Sequence, residues 1–500
     1  MISDPATTDT ADNREPTLTR FESGLPELDQ ILGGGLVTGG SYIIQGSPGT
    51  GKTILANQIC FARAAKGQKS LYMTLLSESF SQMFAFLQSL DFFDMSKVPE
   101  YIYYASAYAT LRQDGLDALL HLIVQEIRKR RPSVLVFEGI FAIGELAGRS
   151  GGETELRRFL NELAALAAQH RMTIVLVTNS DRNPSSPEYA VVDGWIELVD
   201  DAASHHPSRH LVVHKQRGGP VLRGRHQYQI TNAGLEVYPR LESLPRPPDR
   251  EKASTGRLGS GIAELDRMMG GGIPEQSATA VMGPAGSGKT TVGLHFVANA
   301  TPDASGLFFG FYEKPGRLVR KAAGIGIDLD GRIACGAARI VWFPPAEALI
   351  DEIGRTAIRE VEASGAKRVV LDGLIAACRP LADDTRLRAF LRALDDRLLA
   401  LGATVVYTHE VPQLFFPEVL GSGQLSGFVD NTLLFHYLLD GPTVQRRATL
   451  LKVRDSGFDH RGRAYQITRD GLVLEPTEGG DVHPMKDAGP AGPAGTGRSG

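Results

Sequence analysis

Cysteine is scarce in this 500-residue chain: Cys60, Cys335 and Cys378 are the only three, and they lie far apart. That usage excludes a disulfide framework and argues against a thiolate zinc cluster. A charge excess of either sign is also missing. Lysine and arginine total 53 against 57 aspartate and glutamate, a net charge of −4, so no global basic field draws nucleic acid or anionic lipid. No apolar run approaches the ~20 residues a membrane span needs, and the first residues lack the charged-then-apolar pattern of a signal peptide. The expectation is a cytoplasmic protein with no membrane association. At 42% hydrophobic residues, the chain has enough apolar surface for two cores.

Glycine, by contrast, is abundant, and its placement is specific. GSPGTGKT spans 46–53 and GPAGSGKT spans 283–290, each after an apolar run (SYIIQ, ATAVM) and before a helix-patterned segment. Glycines in such a loop let backbone N–H groups close around a phosphate, and the helix N-terminus adds partial positive charge. The candidate nucleotide-binding residues are Gly46, Ser47, Gly49, Thr50, Gly51, Lys52 and Thr53 in the first loop. In the second they are Gly283, Gly286, Ser287, Gly288, Lys289, Thr290 and Thr291. Lys52 and Lys289 would reach the β/γ-phosphates, and Thr53 and Thr290 would hold Mg²⁺. The pattern predicts ATP and Mg²⁺ binding, twice.

The duplication extends beyond the loops. SGLPELDQILGGGL (23–36) is matched by SGIAELDRMMGGGI (260–273), and KQRGGPVLRGRHQYQITNAGL (215–235) by KVRDSGFDHRGRAYQITRDGL (452–472), all at an offset of 237 residues. A constant offset over so long a stretch means a tandem domain repeat. The expected organisation is a disordered N-terminus at 1–16, a first domain at 17–240, a linker at 241–256 rich in proline and charge, a second domain at 257–476, and a disordered tail at 477–500.

Within each domain short apolar runs alternate with amphipathic stretches, for example at 115–130 and 154–169. This rhythm predicts an α/β fold: a mostly parallel sheet with helices on both faces and a ligand at the carboxyl ends of the strands. A strand-end acid is needed to steady Mg²⁺. RVVLDG offers Asp372, and SVLVFEG offers Glu138 where an aspartate is usual. A group orienting the attacking water is expected at the end of the second apolar strand. FFGFYEK offers Glu313, followed by Lys314, and YMTLLSES offers Glu78 after Ser77. Polar strand ends at Thr178-Asn179 and Thr408-His409-Glu410 are candidate γ-phosphate sensors. The basic run EIRKRRP (126–132) reads as a helix C-terminus stopped by proline. His205, His206, His210 and His214 lack metal-ligand spacing.

Together, the paired loops, the S-G-x-x-E-L-D-x-x-x-G-G-G opening and the K-x-R…Y-Q-I-T closing motif resemble the KaiC family of double-domain ATPases in the RecA superfamily. The likeness covers about residues 17–475. It implies two RecA-like P-loop NTPase domains, assembly with itself into a homohexameric ring, and ATP held between neighbouring subunits. It also implies that Lys215 and Arg217, and Lys452 and Arg454, reach the neighbour's γ-phosphate, and it points to KaiB-like or sensor-kinase signalling partners. The family's two adjacent catalytic glutamates match Glu313 and Lys314, so the second is lost. The first copy has LLSES there, with Glu78 as the stand-in. The family's phosphorylated serine and threonine match Ser426 and Gly427, which leaves a single candidate serine/threonine-kinase acceptor, Ser426. The tail has no match to an activator-binding segment, which argues against a KaiA-like regulator.

These readings favour an ATP-hydrolysing signalling ring with serine autokinase activity. Two alternatives stay open on sequence: a DNA-stimulated motor of the RecA or helicase type, and a ring in which the first domain binds ATP while the second alone turns it over. The acidic balance argues against the DNA motor.

Overall fold

The computed structural model describes residues 18–76, 80–140, 152–179, 187–201, 207–248, 255–344, 348–411, 429–454 and 456–476. Contacts divide the chain into two compact units, Met1–Leu244 and Pro245–Gly500.

The first unit is built on a sheet of β1 (Ser41–Gly46), β2 (Ser70–Thr74), β3 (Ile102–Ser106), β4 (Val134–Glu138), β5 (Thr173–Thr178), β6 (Gly194–Asp200), β7 (Arg209–Gln216), β8 (Arg225–Thr231) and β9 (Gly234–Tyr238). Their order across the sheet is β9-β8-β7-β6-β1-β5-β4-β2-β3. The six strands from β6 to β3 run parallel, and β7, β8 and β9 extend the sheet antiparallel. The second unit repeats this topology. Its strands are β10 (Ala278–Gly283), β11 (Gly306–Gly310), β12 (Ala338–Trp342), β13 (Arg368–Asp372), β14 (Thr404–Glu410), β15 (Asn431–Asp440), β16 (Thr443–Val453), β17 (Arg463–Thr468) and β18 (Gly471–Leu474). They are ordered β18-β17-β16-β15-β10-β14-β13-β11-β12.

Strand side chains alternate between faces, so a sheet covered on both sides needs apolar residues at nearly every position. On β1, Tyr42 and Ile44 enter one core with Leu55 and Ile59 of the helix Lys52–Ala65. Ile43 enters the other, with Leu119 and Ile123 of Tyr108–Arg130 and Leu156 and Phe159 of Gly152–His170. The helix Tyr108–Arg130 is interrupted at Gly115 (φ 82°). It ends with Arg128, Lys129 and Arg130 in its last turn, followed by Arg131 at φ 50° and then Pro132. The basic run therefore serves the helix terminus, where cations are favourable. Leu241 is buried and opens a short 3-10 turn despite the proline-rich composition around it.

The repeated opening motif is a turn held by one aspartate. The Asp29 carboxylate accepts the Ser23 N–H at 2.9 and 3.1 Å, while its carbonyl accepts from Gly34 and Gly35. Asp266 does the same for Ser260, Gly271 and Gly272. Gly35 sits at φ 96°, and a Cβ there would stand 2.3 Å from the Phe21 carbonyl, so no larger residue fits. Among the described residues, no helix is long and apolar enough to cross a membrane.

Candidate functional site

Each loop follows the central strand of its sheet, β1 or β10, at the strand's carboxyl end. Gly49 (φ 84°) and Gly51 (φ 90°) take left-handed conformations in the first loop, as Gly286 (φ 74°) and Gly288 (φ 97°) do in the second. Nothing lies within 4 Å of where a Cβ would stand on Gly49 or Gly286. The following helices begin at Lys52 and Lys289, and no side chain caps either. Their first N–H groups thus remain available to an anion.

Lys52 folds onto its own loop, its Nζ donating to the carbonyls of Gly46 and Ser47 at 2.8 Å each. Lys289 donates to the Pro284 carbonyl at 2.8 Å. Burial pulls both amines below the ordinary lysine range, opposed by the charge of Glu138 at Lys52, and of Glu410 and then Asp372 at Lys289. A desolvated ammonium with carbonyl partners gains strongly from an arriving phosphate.

The closing motif acts as a buttress. The Tyr228 hydroxyl donates to the Thr50 carbonyl at 2.7 Å, and the Tyr465 hydroxyl to the Ser287 carbonyl. Ile230 and Leu235 pack where a Cβ on Gly51 would stand, 2.9 and 2.8 Å away, and Ile467 is 2.9 Å from that point on Gly288. The loops are thus braced by β8–β9 and β17–β18, far along the chain.

The structure brings both threonine–acid pairs together. Thr53 donates to Glu138 Oε1 at 2.8 Å, and Thr290 lies 3.2 Å from both carboxylate oxygens of Asp372. Burial raises Asp372 above the usual carboxylate range, opposed by hydrogen bonds from Thr408 and Thr290. A hydroxyl and a carboxylate beside a phosphate cradle are the hard oxygen donors that suit Mg²⁺. Among the described residues, no group of three or more His, Cys, Asp or Glu is arranged to hold a metal ion.

Glu313 lies three residues beyond β11. Its Oε1 pairs with Lys321 Nζ at 3.0 Å, and its buried Oε2 has no hydrogen-bond partner among the described residues, with Arg317 Nε 3.8 Å away. Thr74 stands opposite Glu138 as Gly310 stands opposite Asp372. Counting three residues on from each aligns Ser77 with Glu313 and Glu78 with Lys314. Ser77 and Glu78 lie outside the described residues, as do Ser426, Gly427, His205 and His206. His210 and His214 pair with Asp201 and Glu197. At the end of β14, burial lowers His409 below the ordinary histidine value, and Glu410 stands opposite Gly283.

The K-x-R pairs occupy the other end of each sheet. Lys215 stands opposite Trp195, which pairs with Ile43, three residues before Gly46. Lys452 stands opposite Thr432, which pairs with Ala280, three residues before Gly283. Each is therefore separated from its own loop by about 10 Å along the strand and about 10 Å across two strands. A register shift precedes each lysine, between Trp195 and Ile196 and between Thr432 and Leu433. Such bulges re-aim the side chains beside them. Lys215 donates to the carbonyls of Tyr189 and Ala190 at 3.0 and 2.9 Å, and Lys452 to that of Val429 at 2.8 Å. Arg217 pairs with Asp193 at 3.3 Å and Arg454 with Asp430 at 2.8 Å.

The sequence marks Thr408 only as a candidate phosphate sensor and does not single out Tyr72 or Lys321. Tyr72 donates to Glu138 Oε2 at 2.7 Å and Thr408 to Asp372 Oδ1 at 2.7 Å, while Lys321 holds Glu313. Asp193 and Asp430, which share the 237-residue offset, are a signal that a comparison of the two copies finds.

A family model for the KaiC ATPase matches residues 21–242 and again 258–479. The chain belongs to the KaiC ATPase family. It is similar to the circadian clock oscillator protein KaiC of Parathermosynechococcus lividus, at 24% identity over 94% of this chain and 89% of that protein. It is also similar to KaiC of Synechococcus elongatus, at 23% over 94% and 92%, and to the circadian clock protein KaiC3 of Synechocystis sp., at 25% over 93% of each. Membership in the KaiC family accounts for both sheets, whose parallel order and terminal phosphate loops are those of tandem RecA-like domains.

Proposed function

We propose that the protein binds Mg·ATP at both loops, hydrolyses it, and assembles with itself into a homohexameric ring in which each nucleotide is shared by two subunits. One observation carries the shared site: both K-x-R pairs lie at the end of the sheet away from their own phosphate loops. A cation so placed serves a neighbour's nucleotide. Burial and the adjacent Arg217 charge hold Lys215 below its ordinary value, so the pair gains when an anion arrives.

In this reading the loop amides with Lys52 and Lys289 bind the β/γ-phosphates, and Thr53 with Glu138 and Thr290 with Asp372 hold the magnesium. Mg²⁺ neutralises charge developing on the transferred phosphoryl group. Glu313 orients water through Oε2, with Oε1 fixed by Lys321, and the neighbour's lysine and arginine stabilise charge on the phosphoryl oxygens. Turnover is stronger in the second unit, which retains this glutamate. Glu78, one residue past the position that aligns with Glu313, is the candidate stand-in in the first unit, and Ser426 is the candidate phosphoacceptor.

Subunit mixing tests the proposal. In a Lys289→Ala background, Lys52→Ala chains and Lys215→Ala/Arg217→Ala chains should each lack first-unit ATPase activity. Mixed one to one before assembly, they should regain about a quarter of it, the fraction of interfaces pairing an intact loop with an intact cation pair. Absence of recovery, with mixed rings verified by native mass, would contradict the shared site.

A further inference from the structure

The acid beneath the metal-binding threonine is built differently in the two units, and the differences form a matched set. In the second unit Asp372 accepts from Thr290 and, at 2.7 Å, from Thr408, which stands directly opposite it on β14. In the first unit the residue opposite Glu138 on β5 is Val177, which has no hydroxyl to donate. The donor comes instead from the strand on the other side. Tyr72 of β2 donates to Glu138 Oε2 at 2.7 Å, while Oε1 accepts from Thr53 at 2.8 Å. At the register of Tyr72 the second unit carries Phe308. One unit thus pairs Glu with Tyr and Val, and the other pairs Asp with Phe and Thr.

Tyr72 is fully buried, so its hydroxyl has no water to fall back on and is committed to the carboxylate. A glutamate has one more rotatable bond than an aspartate. Unanchored, it distributes both oxygens among several orientations, and a partner on Oε2 removes that freedom.

We infer that Tyr72 is the positioning residue that lets a glutamate serve where the second unit uses an aspartate, by fixing Oε2 so that Oε1 faces Thr53 and the magnesium of a bound nucleotide. The inference rests on the nucleotide reading proposed above. It is tested in the full chain carrying Lys289→Ala, with a fluorescent ATP analogue titrated in Mg²⁺ and in chelator, and the ratio of the two affinities is the readout. Tyr72→Phe, the side chain found at this register in the second unit, should lower the ratio about 10-fold, as loss of a ligand's outer partner does. Adding Glu138→Asp and Val177→Thr, which installs the second unit's set, should restore it. An unchanged ratio in Tyr72→Phe overturns the inference. So does equal weakening with Mg²⁺ and with chelator, which marks a purely structural role. If the Lys289→Ala parent itself shows no Mg²⁺-dependent binding, the nucleotide reading falls and takes the inference with it.

Discussion

The two copies solve one packing problem with different chemistry, and acid should separate them. In the second unit the loop-following helix Lys289–Ala298 is tied to β18 through His295, whose Nε2 accepts the Leu472 N–H at 3.0 Å. In the first unit Gln58 does this work, its Oε1 accepting the Leu235 N–H at 2.8 Å. Burial pulls His295 down to about 4, from an ordinary value of 6.5. The unfolded chain therefore binds the proton first. The stability of the neutral form is fully present above pH 6.5, declines as pH falls towards 4, and is gone below that. Between pH 7 and 4.5 the linkage amounts to about 2 kcal/mol. For a unit of this size that is roughly 4–8 °C in the thermal midpoint. His295→Gln, which copies the first unit, should remove this share of the acid sensitivity with little change at pH 7. The chain has two tryptophans, Trp195 in the first unit and Trp342 in the second. Trp342 fluorescence in a Trp195→Phe background therefore follows the second unit alone. Burial also lowers His409 and His436, so the quantity to compare is the difference between parent and variant. Parallel losses in the parent and in the His295→Gln variant would refute the reasoning.

Two further outcomes follow from the same geometry. Gly288→Ala forces a Cβ into a φ of 97° and to 2.9 Å from Ile467, so it should abolish nucleotide binding at the second loop and leave the first intact. Calorimetric titration checks this, and binding at parental affinity would contradict it. Asp193→Ala removes the acceptor for the Ser41 N–H and hydroxyl, both at 3.0 Å, and the partner of Arg217. It should cost the first unit about 1–3 kcal/mol in urea unfolding. A loss of only a few tenths would show that water replaces the carboxylate.

Much of this site was legible in the sequence because the features concerned are local. The loop glycines, the lysine and the threonine are contiguous, and their conformations follow from a strand feeding a helix. Glu138 and Asp372 were legible too, since an acid closing an apolar run marks the end of a buried strand. Their second hydrogen-bond donors, Tyr72 and Thr408, were not legible in that role. Tyr72 and Val177 flank Glu138 only because β4 lies between β2 and β5, and strand order in a sheet with crossovers is not written into any one segment. The same holds for Tyr228 and Tyr465. Their motif is visible as a repeat, but its role as a brace appears only when β8 and β17 are seen beside the loops. Lys321 carries no such signal, because a lysine on an amphipathic helix ordinarily faces solvent, and its contact with Glu313 depends on how Pro315–Gly324 folds back. Comparing the copies at fixed offset exposes Asp193 and Asp430, whereas the offset slips by one residue at β2 and β11, which obscured the alignment of Glu78.

The measurement that bears most directly on the whole account is nucleotide stoichiometry by equilibrium dialysis in Mg²⁺, for the parent, Lys52→Ala, Lys289→Ala and the double variant. Twin phosphate cradles predict two ATP per chain in the parent, one in each single variant and none in the double. A parent that binds one or none, or a double variant that still binds two, would contradict it.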